Sequence, residues 1–126
     1  MSKKQTSPPG TILLGTAGWT VPRANVDAFP AEGSHLERYG RVLHAVEINS
    51  TFHRPHRAAT YERWAGSVPD EFRFCLKAPK TITHTARLVD SEPLLDAFLK
   101  DAEPLGRKLG CVLFQLPPSF AFDTAV

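Results

Sequence analysis

The sequence predicts an α/β protein made of (β/α) units, about four strands in all, matching the opening half of a TIM-barrel-like (β/α)8 fold. Three observations carry that expectation. Short apolar runs recur along the 126 residues, each run ends in a break rich in Gly, Pro, Asn or Ser, and a segment with helical spacing follows most breaks. Periodicity alone leaves a small open parallel sheet as the alternative.

Residues 1–10 (MSKKQTSPPG) read as a flexible lead-in, and one domain over 11–126 follows. The first strand is expected over 11–15 (TILLG). After a long loop, Ser34 with Glu37 three residues on forms a capping box that starts a helix, with Leu36, Tyr39 and Leu43 on its apolar side. The second strand is expected over 44–48 (HAVEI), and a second helix near 60–65 carries Tyr61 and Trp64 on one face. In the third strand, 72–78 (FRFCLKA), apolar Phe72, Phe74 and Leu76 alternate with Arg73, Cys75 and Lys77. A third helix is expected over 93–109. Pro93 suits its first turn, while Pro104 conflicts with its interior and predicts a kink or break. The fourth strand is expected over 111–116 (CVLFQL), closed by PPSF.

Composition limits the function classes. A hydrophobic share of 42% and a charged share of 22% are ordinary for one soluble domain, and a formal charge of +2 is too small to argue for nucleic acid by itself. Cys75 and Cys111 each sit inside an apolar run, so buried free thiols in a reducing cytoplasm are expected. No apolar stretch approaches the roughly 20 residues of a membrane helix. There is no P-loop, no dinucleotide-binding glycine motif and no nucleophile elbow, so no particular cofactor is implied.

Four fragments carry a resemblance: GTAGW at 15–19, VEINSTFHRP at 46–55, FRFCLKAPKTITHTARL at 72–88 and LGCVLFQLPPSF at 109–120. In this order and spacing the chain resembles the YecE-like family, domain of unknown function 72, from about residue 12 to 122. The resemblance implies a TIM-barrel-like fold and no established activity. Two details depart from the family pattern: Thr20, Val21 and Pro22 follow Trp19 where more aromatic residues are usual, and His53 stands where a tyrosine is usual. Members of the family are about twice as long, so the resemblance implies the N-terminal half of a domain. Open apolar edges on the first and fourth strands would then favour self-association, a longer parent chain or poor solubility.

In a barrel the site lies at the C-terminal ends of the strands. The first strand delivers Gly18 and Trp19 there, either for close backbone approach to a ligand or as a tight turn. The second delivers Glu47, Asn49, Ser50 and Thr51. Glu47 and Asn49, two apart, leave the same face of an extended chain, and an inward glutamate needs a cation, a metal or a proton; an ion pair with Lys77 is the structural alternative. The third delivers Lys77, an anchor for phosphate or carboxylate before it is a covalent catalyst, and then His84 and Arg87. His84 is either a general base or a loop cap. The fourth delivers Gln115, whose amide can bond a ligand. Glu47, His53 and His84 are ligand types suited to Zn or Mn, but no metal-binding spacing supports them, and no metal is assigned.

Two readings follow. In the first, the protein is an enzyme acting on a phosphorylated or other anionic substrate, with Glu47, Lys77 and His84 catalytic and Gly18, Trp19, Asn49, Ser50, Thr51, Arg87 and Gln115 binding. In the second, a non-catalytic barrel holds nucleic acid or another anionic polymer through Lys77, Arg87, Arg54 and Arg57, with Trp19 and Phe52 stacking on bases.

Overall fold

In the computed structural model, which describes residues 10–126, four parallel strands form one sheet in the order β1-β2-β3-β4. The strands are β1 (Gly15–Ala17), β2 (Ala45–Ile48), β3 (Arg73–Lys77) and β4 (Leu109–Leu113). Each strand lies beside its successor, which is the progression of a barrel rather than the reversing order of a doubly wound sheet. The lead-in expected over 1–10 lies outside the described residues except for Gly10.

The helices are α1 (His35–Gly40), α2 (Ser50–His53), α3 (Ala58–Gly66) and α4 (Glu92–Ala102). The expected capping box starts α1: Ser34 Oγ accepts the Glu37 N–H at 3.2 Å and donates to the Glu37 carboxylate at 3.2 Å. From α1, Tyr39 reaches back to the sheet. Its hydroxyl donates to Ala45 O at 2.7 Å and accepts the Thr16 N–H at 2.8 Å, pinning β1 to β2.

The core lies between the outer face of the sheet and the helices. Val46 and Ile48 from β2 and Phe74 and Leu76 from β3 are buried against Leu36, Tyr61, Trp64 and Phe98. Lys108 ties the end of α3 in place by donating to the carbonyl of Ala65, open at the helix C-terminus, at 2.6 Å and to that of Val68, just past the helix, at 2.8 Å.

Three elements depart most from their expected bounds. Strand β1 occupies 15–17 rather than 11–15: its partners on β2 begin at Ala45, so the apolar residues 12–14 lie ahead of the paired region, with Ile12 80% exposed. Gly15 marks where the strands close up, since a Cβ there would overlap the Ala45 carbonyl oxygen. The third helix stops at Ala102 and continues as a 3-10 turn, Glu103–Lys108, that accommodates Pro104 and reverses at Gly106 (φ 53°). Strand β4 occupies 109–113 rather than 111–116, and Gly110 forms a bulge in it: Leu109 pairs with Phe74 while Cys111 pairs with Cys75. Cys111 is accordingly exposed and Cys75 half-buried, so the expectation of two buried thiols is corrected, although both are free.

Candidate functional site

Alternation along the strands decides what each face carries. With Val46, Ile48, Phe74 and Leu76 turned to the helices, their neighbours Glu47, Cys75 and Lys77 turn to the other face, which is the inner face of a barrel wall. Register lines four of these positions into a row across the sheet, Ala17, Glu47, Cys75 and Cys111, with Lys77 and Leu113 one level nearer the C-terminal edge. Cys75 and Cys111 are direct register partners on neighbouring strands. Burial first, then Cys111 and the charge of Glu47, push the Cys75 thiol up to about 12, so it stays protonated at neutral pH.

The C-terminal edge is organised by Thr51 and Phe52. Thr51 is 1% exposed, and its hydroxyl lies 2.7 Å from Lys77 O and 3.1 Å from Ile48 O, tying the ends of β2 and β3 together. Its neighbour Phe52 gathers polar side chains around one ring. The Lys77 ammonium stands 4.5 Å from the ring centroid, and the rings of His53 and His84 meet it edge-on at 5.1 and 5.0 Å. This is a cation–π arrangement that holds the lysine without neutralising it. His84 sits in a short π-helix, Thr81–Thr85, and its Nδ1 is 2.8 Å from the hydroxyl of Thr83, a residue with no exposed surface. π-Helical turns of this kind recur at functional sites.

The remaining residues expected at the site take several places. The Gly18 N–H donates to Glu47 O at 2.8 Å and needs its positive φ of 84°, which carries the chain off β1. Trp19 is half-buried and packs edge-on against Trp64 at 5.4 Å, at the margin of the core. Asn49 is exposed just ahead of α2, and Gln115 is exposed two residues past β4. Arg87 adopts φ 48°, lies 4.7 Å over Phe120 and reaches Ser119 O at 3.3 Å, so it braces the segment after β4 rather than the ring of Phe52. Among the described residues no group of three or more His, Cys, Asp or Glu is placed to hold a metal ion, so Glu47, His53 and His84 do not assemble into a Zn or Mn site.

Sequence reasoning missed two features here. Phe52 as the organising ring had only one signal, its position between Thr51 and His53. His56, which has no periodicity to commend it, folds back so that its Nε2 is 2.9 Å from Ser50 Oγ, with its ring packed edge-on against Trp64 at 5.2 Å.

Comparison with known proteins gives the same outline. A family model described as protein of unknown function DUF72 matches residues 13–126. The UPF0759 protein YecE of Escherichia coli K12 is 38% identical over 112 residues, covering 86% of this chain and 39% of that protein. The UPF0759 protein YunF of Bacillus subtilis 168 is 30% identical over 115 residues, covering 86% of this chain and 41% of its own length. A crystal structure of a DUF72 family protein from Enterococcus faecalis V583 superposes with a TM-score of 0.73 at 24% identity, over 91% of this chain and 43% of that one. A second crystal structure of that protein gives 0.67 at 23% identity. These neighbours are TIM-barrel-like, and the chain spans about two fifths of the length of the curated relatives it matches.

Proposed function

We propose a function from one premise: the chain belongs to the family of proteins of unknown function DUF72, and its C-terminal strand edge binds and acts on a small phosphorylated or otherwise anionic substrate. The observation that carries this reading is the gathering of Lys77 and His84 around Phe52, where the end of β3 and the π-helical turn after it bring a cation and a proton-transferring group against a ring supplied by the segment after β2. In this reading Lys77 holds the anion, His84 transfers a proton at the rim, and Glu47, one level deeper on the inner face, is the second acid/base group. An aromatic ring beneath the ammonium favours binding because a carboxylate in that place would compete with the substrate.

Calorimetric titration with inorganic phosphate tests the anchor. Lys77→Met is expected to weaken binding at least tenfold, the order of one charge-assisted contact of about 1.5–3 kcal/mol. Glu47→Gln is expected to leave phosphate affinity intact while removing turnover of whichever phosphomonoester a substrate panel identifies. Unchanged phosphate binding in Lys77→Met would sink the assignment. Binding of a single-stranded oligonucleotide with a steep loss of affinity in salt, and no turnover, would favour a non-catalytic anionic-polymer role instead.

A further inference from the structure

Three hydroxyls cluster where β2 and β3 end, and they are not equivalent. The Thr51 hydroxyl is committed to the carbonyls of Ile48 and Lys77 and is buried. Thr83 is fully buried and bonds the Nδ1 of the next residue, His84, which orients that ring from behind. Ser50 differs from both. It is half-buried, it begins the turn that follows β2, and its Oγ faces the Nε2 of a histidine six residues on at 2.9 Å.

We propose that Ser50 and His56 form a nucleophile–base dyad that takes up acyl groups from esters at the C-terminal end of β2. The geometry is that of an activated nucleophile: hydroxyl and imidazole are within hydrogen-bond reach, and the base is held by neighbours that restrict its ring. Trp64 and Tyr61 do the holding, meeting the imidazole edge-on at 5.2 and 6.0 Å, and Trp19 backs Trp64 at 5.4 Å. Protonation state supports the role. Burial, with the nearby Arg54 charge second, keeps His56 below its ordinary value of 6.5, so near pH 7 it is neutral and able to accept a proton. The other ionisable group packed against it, Tyr61, is pushed up to about 12 by burial and Asp101 and stays uncharged.

The chemistry balances with water as the only co-reactant. Ser50 Oγ bonds to the ester carbonyl carbon as its proton passes to His56 Nε2. The carbon–oxygen bond to the leaving alcohol breaks, and that alcohol takes the proton from His56. Water, deprotonated by the same nitrogen, then attacks the acyl-serine, releasing a carboxylic acid and restoring Ser50.

A neutral alkyl fluorophosphonate tests this directly, because Ser50 Oγ would form a bond to phosphorus as fluoride leaves. Intact-mass and peptide mapping of the 126-residue chain should show one adduct, on Ser50. Ser50→Ala should lose it, and His56→Gln should slow it by about a hundredfold or more, the usual weight of a general base. The rate in the unaltered chain should fall as pH drops through a midpoint below 6.5. Thermal melting checks that each variant folds; if His56→Gln does not, the adduct position and the pH profile decide. No adduct, an adduct elsewhere, a rate that falls with acidification through a midpoint above 6.5, or an undiminished rate in a folded His56→Gln chain would overturn the dyad. The probe carries no anionic group, so its outcome is separate from the phosphate titration that tests Lys77.

Discussion

The two faces of the sheet come from the same strands, through residues one apart in sequence, yet they obey different rules. On the outer face Phe74 and Leu76 have no exposed surface and meet helices whose own apolar sides were shaped to cover them. On the inner face Arg73, Cys75 and Lys77 are half-buried, and Glu47 and Cys111 lie beside Cys75 in register. The outer face therefore holds the fold together. The inner face and the edge above it carry groups that packing alone does not call for, and chemistry belongs there.

This contrast makes quantitative expectations. Phe74→Ala should cost most, about 3–5 kcal/mol in urea unfolding, because a large side chain with no exposed surface leaves a cavity. Tyr39→Phe should follow at roughly 1–3 kcal/mol, since it leaves the Ala45 carbonyl and Thr16 amide without the hydroxyl that joins β1 to β2. Ser34→Ala should cost about 1 kcal/mol, the loss of one helix cap.

Cys75→Ala, one residue from Phe74 but on the other face, should change stability least near neutral pH, and a cost there rivalling that of Phe74→Ala would break the distinction between the faces. Its effect belongs at alkaline pH. The folded thiol is raised from 9.0 to about 12, so its contribution is present below pH 9 and is lost as pH climbs toward 12. Cys75→Ala should flatten that part of the profile, while Tyr61, raised from 10.0 to about 12, keeps its share of the decline in both chains.

Much of the outer face was legible because its signals are local. The alternation in FRFCLKA gave β3 to within a residue at each end, and Ser34 with Glu37 marked the start of α1. Pro104 announced the break that ends α4. The first strand was misplaced because the apolar run at 12–14 has strand composition while the ladder with β2 begins only at Gly15, and composition carries no register. The short helix α2 and the π-helix Thr81–Thr85 were missed for a related reason: each is about one turn long, too short for a period. At the candidate site the sequence offered Glu47, Lys77 and His84 as residue types, and their neighbours left no local signal.

By itself, the sequence determined the class of fold, the succession of its four strands with the longer helices between them, and which side of β3 faces the core, since all of these follow from neighbours within a turn or a pleat. Only the tertiary structure decided that Cys75 meets Cys111, that Lys77 and His84 share the ring of Phe52, and that Ser50 finds His56. The physical reason is that such meetings depend on strand register, on a one-residue bulge at Gly110 and on how a loop closes. Those quantities are set by the summed packing of the domain and leave no local pattern in the chain.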